Sequence, residues 1–360
     1  MHLTRRQFIH ALGGAALAAG AAGRLPQAGE PSRVPNRPLM DFHVHLFGTG
    51  DGRTGCWLSD KQKERWNYRY LMLLLGLKEN GRMDQDYVDR LVAQLRASSI
   101  QKAFLQAWDC RYDQAGKPDL ARTTSIFVPN DYLFQVVRQY PDLFVACASI
   151  NPRRKDALQE LDKCVRQGAR AVKLHPPTMD VDPAEPDFRE FYRSCARSRV
   201  ILMVHTGAEH AADIVGLENC DPQRLRLALD EGCTVIASHA GMGAFFDRED
   251  FFPSVRALVR DYPDFYFDTA VLASMFRWRN LRRILAEPEL LARTIHGSDF
   301  PFPSNALAFW NQIAPGKLAA LISEKNLLER DLRLKRALGL PEEVFERGAR
   351  LLAKAERVPP

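Results

Sequence analysis

Among the seven cysteines of this chain (Cys56, Cys110, Cys147, Cys164, Cys195, Cys220 and Cys233) there is no CxxC pair, and their number is odd. That spacing argues against a disulfide framework, although a single bridge stays open. Several lie in apolar segments, where a free cysteine serves as a small buried hydrophobe. No Gly/Ser-rich or Pro-rich linker interrupts the chain. Nor is there a concentrated excess of one charge. The net charge is +6, but Arg5, Arg6, Arg24 and Arg33 against Glu30 put about half of it in the first 36 residues. The remainder is no footprint for nucleic acid or for an anionic membrane surface.

What is present begins with "MHLTRRQFIHALGGAALAAGAAGRLPQAG". A charged start, a short apolar stretch and a small-residue region are the parts of an export signal, and Thr-Arg-Arg-Gln-Phe-Ile resembles the twin-arginine type. Read as an ordinary first helix, the segment would be weakened by Gly13, Gly14, Gly20 and Gly23. Its apolar run falls short of the roughly 20 residues of a membrane span. No cysteine stands near the cleavage region, so no lipid anchor is expected. The expectation is a signal at 1–28, a linker at 29–37 and one domain over 38–360. The resemblance implies a periplasmic or otherwise exported protein that meets the twin-arginine machinery, a route known for carrying proteins already folded, often around a cofactor.

From residue 38 onward, eight short apolar runs alternate with amphipathic stretches. The runs cover 38–47, 102–108, 143–150, 170–176, 200–207, 234–241, 265–271 and 294–302. Between them lie helical patterns such as "DYVDRLVAQLRAS", "DYLFQVVRQY" and "ALQELDKCVRQG". Eight strands each followed by a helix is the arithmetic of an α/β (β/α)8 TIM barrel, with a doubly wound open sheet as the competing layout. Long connections over 48–83 and 109–124 suggest loops over the strand ends, where a barrel sets specificity. The tail reads as a closing amphipathic helix begun by Pro341 and two glutamates.

The first run, "PLMDFHVHLF", puts His43 and His45 two apart. On a strand both imidazoles leave the same face, as does Asp41. Core histidines occur singly, each satisfied by a hydrogen bond or two. A same-face pair can grip one divalent cation but cannot complete its shell. The other strand ends supply candidates: Lys173 and His175 on the fourth, His205 on the fifth, His239 on the sixth and Asp299 on the eighth. All fall at C-terminal strand ends, where a barrel assembles its active site.

The ordered motifs "DFHVH", "AVKLHPP", "VHTG", "SHAGMG" and "GSDFPF" resemble the amidohydrolase superfamily, in its amidohydrolase-related branch that includes aminocarboxymuconate-semialdehyde decarboxylase. The resemblance implies one divalent metal held by His43, His45, His205 and Asp299, with His239 assisting proton transfer and Asp299 sharing that work. Nitrogen and oxygen ligands suit Zn²⁺, with Mn²⁺ as the alternative. Lys173 would be carboxylated in a two-metal site or a free amine near one metal; the motifs favour the second, which would suit an anionic small-molecule substrate. His175 is expected nearer the pocket mouth, as a substrate contact or a supporting residue. Trp108, Asp109 and Asn151 occupy pocket-side positions, and Asp268 is placed to support the seventh strand end. Arg277 to Arg279 are also on the pocket side, where an arginine could pair with an acidic substrate, but they read rather as a solvated helix face, and His210 and His296 as structural or surface residues. The expected activity is hydrolysis of an amide, lactone or ester by a metal-activated water. The alternatives are non-oxidative decarboxylation or hydration of a small carboxylic acid, and a catalytically silent metal or ligand binder. Self-association stays open.

Overall fold

A computed structural model describes residues 38–120 and 125–357. The expected signal, the linker and the last three residues lie outside that range. Eight parallel strands form the sheet: β1 (Met40–His45), β2 (Lys102–Gln106), β3 (Phe144–Ser149), β4 (Ala171–Leu174), β5 (Ile201–His205), β6 (Val235–Ser238), β7 (Phe265–Asp268) and β8 (Thr294–Ile295). They neighbour one another in sequence order, and this is a (β/α)8 TIM barrel. The eight expected runs each contain one strand. β8 is only two residues long because the chain leaves regular pairing at His296 and closes against β1 by single bonds. Phe42 N–H donates to His296 O, His45 N–H to Phe300 O and Asp299 N–H to His43 O, at 3.0, 3.0 and 2.9 Å.

Side chains at alternate strand positions fill the barrel: Met40, Phe42, Phe104, Cys147, Ile201, Met203, Ile236 and Ile295 form one buried cluster, with Phe42 stacked on Phe104 at 4.0 Å. The opposite faces pack outward against the helices. Each buried Phe, Ile or Met side chain contributes about 1.5–3 kcal/mol by leaving water. The bottom is closed by the C-terminal helix (Glu342–Arg357), whose Ala349 and Leu351 join the barrel cluster. Gly348 of that helix lies flat on Phe42, and a Cβ there would run into the ring. All seven cysteines are buried thiols, and no described helix is long and apolar enough to cross a membrane.

The two long connections meet. Trp57–Leu58 and Ile126–Phe127 pair antiparallel, tying the insert after β1 to the segment after β2. That first insert carries two helices, α1 (Asp60–Glu64) and α2 (Trp66–Leu75).

Candidate metal centre

The pairing of β1 with β2 shifts register between Asp41 and Val44, a bulge that inserts one residue and flips the side-chain parity. Met40 and Phe42 point into the barrel, Val44 and Leu46 point out, and His43 and His45 face inward with Phe42. This corrects the expectation that Asp41 shares their face. Asp41 instead works on the backbone: its Oδ1 accepts from His43 N–H at 3.0 Å and from Ser298 N–H at 2.9 Å. The same carboxylate thus fixes the two segments that carry His43 and Asp299.

Three donor atoms converge there. His43 Nε2 lies 3.2 Å from His45 Nε2, and Asp299 Oδ1 lies 3.1 and 3.2 Å from those two nitrogens. His43 Nδ1 donates to Asp268 Oδ2 at 2.8 Å, which leaves a lone pair on His43 Nε2. Asp299 Oδ1 is buried without a hydrogen-bond partner. Lone pairs crowded this closely repel one another, and their spacing suits three donors about 2 Å from a common ion. The residues fit a borderline divalent cation.

His239 stands beside this group, its ring 5.0 Å from that of His43. Its backbone N–H donates to Asp268 Oδ1 at 2.8 Å, and its ring Nδ1 faces Ala270 O at 3.2 Å. A carbonyl only accepts, so Nδ1 carries the proton and Nε2 is free to take one. His239 and Asp299 both have positive φ, 62° and 70°. Non-glycine residues held there store strain, which clusters at functional sites.

The structure does not bring the four expected ligands into one tight group. His205 comes from β5, across the barrel from β1, and one of its ring nitrogens lies within 4.8 Å of ligand atoms of His175 and Glu209. Its ring stacks on His175 at 4.1 Å and meets His239 edge-on at 4.7 Å; its Nε2 is buried and unpartnered. His175 is not at the mouth. It is buried between Trp108 and His205, with Nε2 3.2 Å from Glu209 Oε2. Sequence reasoning missed Glu209; its signal was an acid four residues beyond a strand-end histidine. Lys173 lies beside His43, its Nζ 3.5 Å from His43 Nε2 and donating to Ser238 Oγ at 2.9 Å.

Burial sets the proton affinities. It lowers His43 and His175 to about 4 and His239 to about 3, with the Lys173 cation adding to the effect on His43. Burial also lowers Lys173. Glu209 resists burial's upward push, because its hydrogen bond with His175 holds it near 2.

Other expected residues play structural parts. Arg277 is not solvated: it is buried and donates to Met242 O and Ala208 O at 2.5 and 2.6 Å, holding the loops after β6 and β5. Asp109 accepts from the N–H groups of Cys110 and Asn151, while Asn151 clasps the carbonyls of Cys110 and Met179. His296 is buried against Phe345, and His210 pairs with Asp247 at the surface.

A cleft of about 650 Å³, its open mouth included, begins at His45 and runs out between Trp108, Phe302 and the inner side of α2.

A family model described as Amidohydrolase matches residues 40–320. No curated protein matches the sequence. Among solved structures, the chain is similar to a TIM-barrel protein of Bordetella bronchiseptica, at TM-score 0.56 and 16% identity over 89% of this chain and 100% of that one. It is also similar to 5-carboxyvanillate decarboxylase from Sphingomonas paucimobilis, at TM-score 0.53 and 12% identity over 88% and 99%. At these identities the likeness is one of fold.

Proposed function

The chain belongs to the amidohydrolase family, and from that premise we propose that it is a metal-dependent hydrolase cleaving an amide, lactone or ester of a small molecule. The observation that carries this reading is the convergence of His43 Nε2, His45 Nε2 and Asp299 Oδ1 within 3.2 Å of one another. His43, His45 and Asp299, with His205 from the opposite wall, would hold one divalent cation, zinc in the first place and manganese as the alternative. Such a cation supplies a Lewis acid that brings the pKa of water down from 15.7 to about 7.

The chain's own residues manage the protons. Asp268 keeps His43 in the tautomer that offers Nε2. Asp299 can receive a proton from the attacking water. His239 Nε2 can take a proton and return it to the leaving group, since Nδ1 is already committed to Ala270 O. Lys173 and Arg277, both buried near Asp299 and Asp268, favour negative charge developing in the site.

The test loads the full chain with Zn²⁺ or Mn²⁺ and follows a panel of lactones, acylated amines and aromatic carboxylates, recording acid release and CO₂ separately. Acid release abolished by a chelator is the expected result. Metal-dependent CO₂ without hydrolysis would replace this reading with decarboxylation, and metal binding without turnover of any substrate in the panel would count for a silent binder.

Residues 1–28, read as a twin-arginine signal, support export to the periplasm. Replacing Arg5 and Arg6 by lysine should then hold the protein in the cytoplasm; unchanged fractionation would remove the proposal.

A further inference from the structure

Among the described residues, the cleft that opens at His45 has no lysine, arginine, aspartate or glutamate in its wall. Its floor and sides are Leu71, Met72 and Leu75 of α2 facing Trp108 and Phe302. Most polar groups in the wall are engaged elsewhere: Tyr68 Oη donates to Glu79 Oε1 at 2.9 Å and Trp108 Nε1 to Thr178 Oγ1 at 3.1 Å. Gln62 Nε2 and Asn67 Nδ2 both donate to Ala211 O, at 2.6 and 3.0 Å, and Tyr87 Oη donates to His45 O at 2.6 Å. Among the described wall residues no cationic lysine or arginine side chain is there to balance a carboxylate pushed into this space, and an ion taken from water without a partner is strongly disfavoured. The cation Lys173, which the sequence suggested as a carboxylate partner, is absent from the wall; it is engaged beside His43 with Ser238.

The wall is also held in place. Arg65, between α1 and α2, donates to Asp213 Oδ1 and His210 O, both at 2.9 Å, and Lys61 pairs with Asp213 at 2.9 Å. With the two amides on Ala211, these contacts strap the insert after β1 to the loop after β5. The apolar side of α2 is thereby fixed over the approach to His45.

We propose that this cleft selects substrates whose group beside the scissile bond is neutral and apolar, an aryl or alkyl substituent, and that it rejects polyacids. The proposal rests on the metal-dependent reading above, because the cleft matters to chemistry only if His45 holds the ion.

The experiment reads binding rather than turnover, by calorimetry on the zinc-loaded full chain with straight-chain hydroxamates from acetyl to octanoyl. Acetohydroxamate is the anchor alone. Affinity should rise about three- to fourfold per added methylene until the cleft is full, and a carboxylate-tipped hydroxamate should bind at least tenfold more weakly than the uncharged one of the same length. Leu71→Asp, checked for folding by its thermal transition, should flatten the series. A wild-type series with no dependence on tail length, or a carboxylate tip that binds as well as a methyl one, overturns the substrate class while leaving the metal site intact. Failure of acetohydroxamate itself to bind zinc-loaded protein overturns the underlying reading, and this proposal with it.

Discussion

Asp268 and His43 are joined by a 2.8 Å hydrogen bond between two wholly buried side chains, 225 residues apart in the chain. The other oxygen of Asp268 holds the backbone of His239, so one carboxylate orients both a proposed ligand and the proposed proton carrier. Asp268→Asn keeps the shape but puts an amide where an acceptor is needed. Metal affinity should fall about 10- to 100-fold; competition against a zinc-chelating dye measures it, and unchanged affinity would show that Asp268 does not tune His43.

Ligand and proton-carrier roles separate by variant. His43→Ala and His205→Ala should each lose most bound metal, whereas His239→Ala should keep it and lose about 10²–10⁴ in rate. Elemental analysis and turnover on the same samples decide this, and full metal content in His43→Ala would refute the assignment.

Lys173 should be an unmodified amine. Its Nζ already has Ser238 Oγ as a partner, and a bridging carbamate would call for a second cation beside a crowded donor set. Electron density at Lys173 should show no carboxyl group on Nζ, and Lys173→Ala should lower turnover more than metal content. A stoichiometry near two metals per chain would point the other way.

The metal-free protein should lose stability on acidification from about pH 6.5 to about pH 4. His43 and His175, lowered to about 4, and His239, lowered to about 3, stay neutral while folded and take up protons once unfolded. The unfolded chain then binds more protons across this window, so stability rises with pH there. Buried carboxyls oppose this over part of the range: burial raises Asp41 to about 7, Asp331 to about 6, and Asp84 and Asp109 as well, so the folded chain keeps protons that the unfolded one releases. The net effect should be on the order of a few kcal/mol, read as a falling thermal midpoint; a flat profile would mean that the histidines are not held neutral.

Gly348→Ala should destabilise the fold by about 1–3 kcal/mol, because the added methyl overpacks Phe42 at the closed end of the barrel. Metal content should be unaffected, and a midpoint equal to wild type would show that the helix can move aside.

The eight strands were legible because each lies in a short apolar run between amphipathic stretches, and most carry a polar residue at or next to the C-terminal end. The inward-facing histidines were legible for the same reason, but the bulge that gives His43 its direction was not, since nothing in "MDFHVH" marks an extra residue. The pairing of 57–58 with 126–127 was invisible, because two-residue strands carry no period. Arg277 read as a surface residue because its charge pattern is that of a solvated helix; only the folded chain brings the carbonyls of Ala208 and Met242 to it. Lys335 and Asp331 show the same limit of a helical charge pattern. Their spacing is that of an exposed helix pair, yet both are buried, and Lys335 Nζ holds Gly297 O at 2.7 Å, two residues before Asp299.

The backbone of Asp299 donates to His43 O where the last strand closes on the first. The donor set therefore sits on a seam between the two ends of the domain. A growing chain cannot possess this centre until nearly all of it has been synthesised, and a fragment ending before residue 299 should have no comparable affinity for the ion, however well its earlier strands pair. An ion that binds across such a seam also acts as a clasp on barrel closure, so its dissociation rate should report how often the first and last strands part.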